Sequence, residues 1–344
     1  MKKVVLRWSS ILQVLAIAVL FSCSTIAQEP VDSVEETFSN VTAIEVEGSF
    51  CSVEVLGTTG TDVFFKGEVL ASKKYDIKIR HNVNGNTLRV WIDRPNSIRG
   101  NVKGKLAFKV PANTDITVEN SSGSVRVEEI GQSNVKLTAS SGSVQARNIA
   151  SDLIARASSG SLMIEGISGD LRAETSSGSQ RISEVKGNVK TIVSSGSLKV
   201  NGVGGNADLA STSGSQSIAK IDGNLWTKSS SGSLKISDVT GDLNGRSTSG
   251  SISLDRVTGA IELSSSSGSQ KGTNIKLTGP SSFKASSGSV SMQLLNETDE
   301  LSFNLTASSG SLSAKGSSGR KNLVIERGPI KVSGNTSSGS QTYR

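Results

Sequence analysis

The sequence predicts an all-β protein: a single-stranded parallel β-helix, a right-handed β-solenoid of 18-residue coils behind an N-terminal β cap. Three observations carry this. Ser-Gly-Ser recurs with its glycine at 142, 160, 178, 196, 214, 232, 250 and 268, each step being 18 residues. Aliphatic residues fall in columns of the same period. Leu153, Leu171, Val189, Ala207, Leu225, Leu243 and Ile261 form one; Ile164, Ile182, Val200, Ile218, Ile236 and Leu254 a second; Ile149, Ile167, Val185, Val203, Ile221, Val239 and Val257 a third. The composition agrees, with 4% aromatics and 36 glycines in 344 residues. So few bulky groups cannot fill one conventional core, but they suit a thin core that repeats.

The chain opens on a targeting segment. Residues 1–22 read as an export signal, with Lys2, Lys3 and Arg7 ahead of the apolar run from Ile11 to Phe21, which is too short for a membrane span. Two cleavage sites fit. Leu20-Phe21-Ser22-Cys23 resembles a lipobox, which would make Cys23 the lipidation site; Thr25-Ile26-Ala27 offers ordinary cleavage before Gln28. The first is preferred, giving an outer-membrane lipoprotein; the second gives a periplasmic or cell-surface protein. Residues 23–40, polar and acidic around Pro30, suit a tether. Cys51 shares parity with Val53 and Val55, so it is expected to point inward as a small hydrophobe rather than to pair with Cys23.

Residues 41–120 hold half of the Phe and alternate in strand fashion, as in Ile44-Glu45-Val46 and Leu88-Arg89-Val90, with a hairpin turn at Asn84-Gly85-Asn86. They read as the cap. Residues 121–344 read as the solenoid. Within one unit Leu171 and Ala173 alternate with charged residues, as do Gln180 and Ile182, so each coil holds two or three short strands joined by corners. One coil is too poor in apolar groups to stand alone, and stacked coils bury one another in parallel. At about 4.8 Å per coil, twelve coils span roughly 55 Å. A left-handed helix also uses 18 residues, but its aliphatics would recur every six; spacings of three between Ile182 and Val185 favour the right-handed form. Trp226 should face outward. Asp152, Asp170, Asn188, Asn206, Asn224 and Asp242 recur after Gly or Ser and suit a corner with left-handed backbone and local bonding. Gln180, Gln216 and Gln270 interrupt an otherwise apolar column of Leu162, Leu198 and Leu234 and should reach backbone or water. The last Ser-Ser-Gly-Ser ends at 340, so the final coil is expected to be protected partly by the irregular steps before it and partly by a weak end-to-end homodimer; the competing reading is that Phe283 and Phe303 plug the widening stack.

These residues resemble a family of candidate adhesins from bacterial envelopes, a domain of unknown function related to the so-called head GIN domain. Val-Pro-Ala-Asn-Thr at 110–114, Ser-Ser-Gly-Ser-Val at 121–125 and the later Ser-Gly-Ser coils carry the resemblance over about residues 40–344. It implies a β-solenoid on an exported protein.

The chemistry is sparse. Net charge is +7; without the three cations of the leader the excess is 34 − 30 = +4, too little to argue for nucleic acid. One His and two Cys leave no catalytic residues, no metal site and no cofactor to assign. The candidate binding ladder is the row of corner serines: Ser141, Ser143, Ser159, Ser161, Ser177, Ser179, Ser195, Ser197, Ser213, Ser215, Ser231 and Ser233. Against it stands a corner role, with Gly supplying a special backbone angle and Ser bonding exposed backbone. Lys186, Lys199, Lys220, Lys235 and Arg256 read as solvated charges. The function expected is a non-enzymatic envelope solenoid, an adhesin or extracytoplasmic scaffold. Its partners would be a surface glycan or protein, and the membrane through the anchor. Alternatives are an ice-binding protein or a polysaccharide-active solenoid enzyme.

Overall fold

The computed structural model describes residues 29–344; the export segment and Cys23 lie outside the described residues. Each coil has two strands, one in each of two long parallel sheets that face one another. In the coil of Gly178, Leu171–Thr175 lies in the first sheet and Gln180–Val185 in the second. The first sheet has 16 strands and the second 17. Leu153, Leu171 and Val189 pair side by side in register, as do Ile164, Ile182 and Val200. All three predicted columns are buried, and Trp226 faces out.

The spacing of three between Ile182 and Val185 has a backbone cause. Asn148, Gly166, Glu184, Gly202, Lys220, Asp238, Arg256 and Asn274, one per coil, all have φ between +53° and +83°. This left-handed residue bends the second strand so that the side chains on either side of the bend both point inward. The Asp and Asn of the next corner do something else than predicted. None has positive φ among the described residues, and their bonds are not local. The Oδ1 atoms of Asp152, Asp170, Asn188, Asn206, Asn224 and Asp242 each accept the backbone N–H of the equivalent residue one coil on, at 2.7 to 3.0 Å. They form a ladder running along the stack.

Two of the buried glutamines, Gln180 and Gln216, have partners for both ends of the amide inside the core. Gln216 Nε2 donates to Ser211 Oγ (2.9 Å) and to the Lys228 carbonyl (2.7 Å), and Thr227 Oγ1 donates to Gln216 Oε1 at 2.7 Å. Gln180 repeats the arrangement with Thr175, Ile192 and Thr191. Cys51 is buried and unpaired, and desolvation pushes its thiol up to about 12.

Both ends depart from the predicted order. At the start, β1 (Glu29–Phe38), β2 (Ala43–Ser49), β3 (Ser52–Thr58), β4 (Val63–Ala71), β5 (Lys78–Asn84), β6 (Thr87–Asp93), β7 (Val102–Pro111), β8 (Asp115–Asn120) and β9 (Val125–Ile130) follow in sequence. The coil β2/β3 is not outermost. It is held between β6/β7 and β8/β9, parallel to both. Antiparallel strands close the end: β5 on β6, β4 on β7, and β1 on β4. Residues 29–38 are therefore a strand rather than tether, because Val31, Val34 and Phe38 pack on the core. Residue 120 is no structural border, since β2, β3 and β8 already belong to the parallel stack. Gly85, at φ +59°, turns the expected hairpin between β5 and β6.

Strands β10 (Val135–Ala139) to β25 (Gln270–Leu277) alternate between the sheets. Beyond them come β26 (Ser281–Ala285), β27 (Val290–Leu294), β28 (Leu301–Ser309), β29 (Leu312–Ala314), β30 (Ser317–Gly319), β31 (Asn322–Ile325), β32 (Ile330–Ser338) and β33 (Gln341–Tyr343). The last coil of the chain, β32/β33, is slotted between β26/β27 and β28/β29. Tyr343 fills the widened interior there, 5.7 Å from the Phe283 ring and 5.5 Å from the Phe303 ring. Antiparallel β31 and β30 then cover β28 and β29. The coil ending at Tyr343 is thus an interior layer, and the reason offered for end-to-end pairing through it falls away.

Candidate functional site

The Ser-Gly-Ser corners join the two sheets along one edge of the stack. All twelve serines of the candidate ladder are exposed there. The corners stack by backbone bonds, Ser177 N–H to Ser158 carbonyl (2.8 Å), Ser195 N–H to Ser176 carbonyl (2.7 Å) and onward. Their glycines are needed for close approach and not, as predicted, for an unusual backbone angle. None from Gly142 to Gly268 has positive φ, and a Cβ on any of them would overlap the glycine carbonyl oxygen of the preceding coil. Bracing comes from inside, three residues before the glycine. Ser211 Oγ donates to the Gly214 carbonyl at 3.1 Å, whereas Ser229 Oγ accepts the Gly232 N–H at 2.9 Å. The difference follows the glutamines: Ser211 must accept from Gln216, so its own proton goes to the corner. The corner serines themselves have little to do. Among the bonds of the ladder hydroxyls, Ser179 Oγ accepting Ser197 N–H at 3.3 Å is a weak one. The hydroxyl rows are left facing solvent.

The surroundings of this edge were missed in the sequence. From the coil of Gly196 to that of Gly288, no carboxylate stands on either flank. The outward position four residues before the glycine holds Ile192, Ala210, Lys228, Arg246, Ser264 and Lys284. The one three residues after it holds Lys199, Ser217, Lys235, Ser253, Lys271 and Ser291. Among the described residues, Arg246 reaches Glu262 at 3.7 Å, and the five lysines make no ion pair. The signal was available in the offset from glycine, but it appears only when charges are sorted by face.

Charges elsewhere are mixed and paired. On the outer face of the first sheet Glu174 takes Arg172 (2.7 Å) and Arg156 (3.0 Å), and Lys190 takes Asp208 (3.3 Å). The Arg172 hydrogen bond, helped by Arg156, holds the Glu174 carboxyl below its usual range despite partial burial. At the left-handed bends Arg256 does the same for Asp238, at 2.6 Å. A shallow groove of about 580 Å³ on that opposite edge is lined by Glu184, Lys186, Lys220 and Asp222, two charges of each sign. Ion pairs occupy the outer face of the first sheet, whereas the hydroxyl ladder lies on a corner between the two sheets. The chain's one imidazole, His81, sits in β5 of the cap, 3.3 Å from Glu36, and no ladder serine can use it. Among the described residues no group of three or more His, Cys, Asp or Glu could hold a metal ion.

A family profile, Toastrack DUF4097, matches residues 41–237 and again 194–340. The chain belongs to the Toastrack DUF4097 family. The two overlapping matches of this Toastrack chain run through cap and coils alike, in keeping with one continuous stack. Solved structures with similarity include a candidate cell adhesion protein from Clostridium sporogenes ATCC 15579, at 8% identity and TM-score 0.18, covering 92% of this chain and 99% of that one. Another is a candidate adhesin from Bacteroides fragilis NCTC 9343, at 11% identity and TM-score 0.22, covering 91% and 97%. Superpositions that loose carry no argument about this Toastrack chain. No curated protein shows significant similarity to it.

Proposed function

We propose that this chain is a non-enzymatic, exported envelope protein of the adhesin type, which presents its serine edge to a surface glycan or protein. The hydroxyl edge carries the reading: among the described residues it is a long row of exposed serines, with no acid in the two columns that border it. The export segment at 1–22 and the lipobox-like Cys23 support a location at the outer membrane. The test is a glycan and matrix-protein array probed with the full chain in detergent. A second arm uses a variant with Ser195→Asp, Ser213→Asp and Ser231→Asp, which keeps the backbone bonds of the corners. Hits lost in the variant at unchanged melting temperature support the reading. Hits that ignore the variant, or release of soluble sugars from any polysaccharide supplied, would overturn it. Cys23→Ser should abolish palmitate labelling, and an unlabelled wild type beginning at Gln28 would remove the anchor.

A further inference from the structure

We infer that the serine edge between the coils of Gly196 and Gly288 binds a linear anionic polysaccharide lying lengthwise along the stack. The inference rests on the reading above and adds the ligand class. Lys199, Lys235 and Lys271 occupy one outward column on alternate coils, with Ser217 and Ser253 between them. The coil spacing sets these ammonium groups about 10 Å apart over roughly 19 Å of edge. On the other flank stand Lys228 and Lys284. Between the two flanks run the corner hydroxyls, one set per coil.

Such a trough offers a polymer two things in register: a repeated positive charge and a repeated hydrogen-bonding group able to donate and accept. A glycan carrying carboxylates or sulfates uses both along its whole length. The two columns bordering the corner hold no acid, the nearest carboxylates beyond them, Asp208, Glu262 and Asp255, face Lys190, Arg246 and Arg256, and the focused potential would raise the glycan's local concentration. Nucleic acid fits less well, because the edge has no aromatic ring on which bases could stack. A bilayer surface fits less well too, because a single corner is narrow and Ile192 is its one exposed large aliphatic side chain.

The experiment measures binding of the full chain in detergent to immobilised polygalacturonate, heparin and neutral dextran, with duplex DNA and phosphatidylglycerol vesicles alongside. The edge variant is Lys235→Ser with Lys271→Ser, since serine already occupies this column in neighbouring coils. The control is Lys186→Ser with Lys220→Asn on the opposite edge, with the same change of net charge. Asn already stands at the left-handed bend at 148 and 274. Losing two exposed charge contacts should weaken binding to polygalacturonate or heparin about tenfold in the edge variant, with the control close to wild type. Binding should weaken as salt rises. Carboxylate and sulfate as the recognised group are separated by which of the two polymers binds tighter. Equal loss in both variants overturns the assignment to this edge. Dextran bound as well as the acidic polymers overturns the anionic class while leaving the adhesin reading intact. Tighter capture of DNA or vesicles, or no binding to either acidic polymer, overturns the inference, and the array then judges the broader reading alone.

Discussion

Thr227→Val isolates one hydrogen bond in the core. Valine keeps the shape of threonine, and the column at that position already accepts Leu209 and Leu263. The change removes the donor to Gln216 Oε1 (2.7 Å), in a place where Gln216 and Thr227 are 1% and 3% exposed. An orphaned buried carbonyl costs about 1–3 kcal/mol. Gln216→Leu in the same chain removes the orphan, and leucine matches Leu198 and Leu234 on either side. The double variant should therefore return to within about 1 kcal/mol of wild type, because replacing both partners by apolar groups is close to neutral. Urea denaturation of the four proteins gives the coupling energy. The third glutamine supplies a natural comparison: Phe283 stands where Thr227 would, and Gln270 Oε1 has no partner. If Thr227→Val is as stable as wild type, or the double variant falls below both singles, the bond does not matter as argued.

Ile218→Asp should cost several kcal/mol by placing a charge in the dry interior, whereas Lys220→Asp sits outside at a bend where Asp238 already stands; equal melting temperatures would contradict the column assignment. Gly196→Ala should be strongly destabilising because its Cβ meets the Gly178 carbonyl, while Gly202→Asn should be tolerated because the nearest atom to its Cβ is 3.5 Å away and Asn suits φ near +60°; circular dichroism melts compare them. Glu174, Asp238 and Glu300 all have carboxyls held below their usual range by cationic partners. Their contribution is present at neutral pH and is lost as acid titrates the folded carboxylates, so stability should fall below the ordinary carboxylate range. Glu174→Gln should flatten that fall, and an unchanged acid profile would count against the Arg172 and Arg156 pairing.

The coils were legible because one physical requirement repeats. Most inward residues must be apolar, so Leu171, Ile182 and Val185 have aliphatic counterparts at a fixed interval. The left-handed bend was harder to see. Glu184, Lys220 and Arg256 have no bias toward positive φ and mask the column; its traces were the spacing of three between Ile182 and Val185 and the Gly, Asn and Asp at 148, 166, 202, 238 and 274. The Asp and Asn column was visible but misread, because turn preference is local while Asp170 and Asn188 serve a neighbour 18 residues away. The order of the layers at the two ends was not legible, although the hairpin at Gly85 was. No pattern within β2 or β32 tells which coil will lie above it. The serine edge lies between these cases: its hydroxyls were plain, but Lys228 and Lys235 join one surface only once the corner brings the two sheets together.

Interleaved ends change how the protein can come apart. A stack whose first and last coils lay outermost could be peeled layer by layer, like cards from a deck. Here β32/β33 must leave from between two neighbours, breaking ladders on both sides at once, and β2/β3 is held in the same way. Seating follows the same rule in reverse. The coil of Tyr343 has its full complement of partners only when β26/β27 and β28/β29 are both in place, so assembly cannot finish as a simple zipper running toward the C-terminus. That closure makes durability a property of threading as much as of packing.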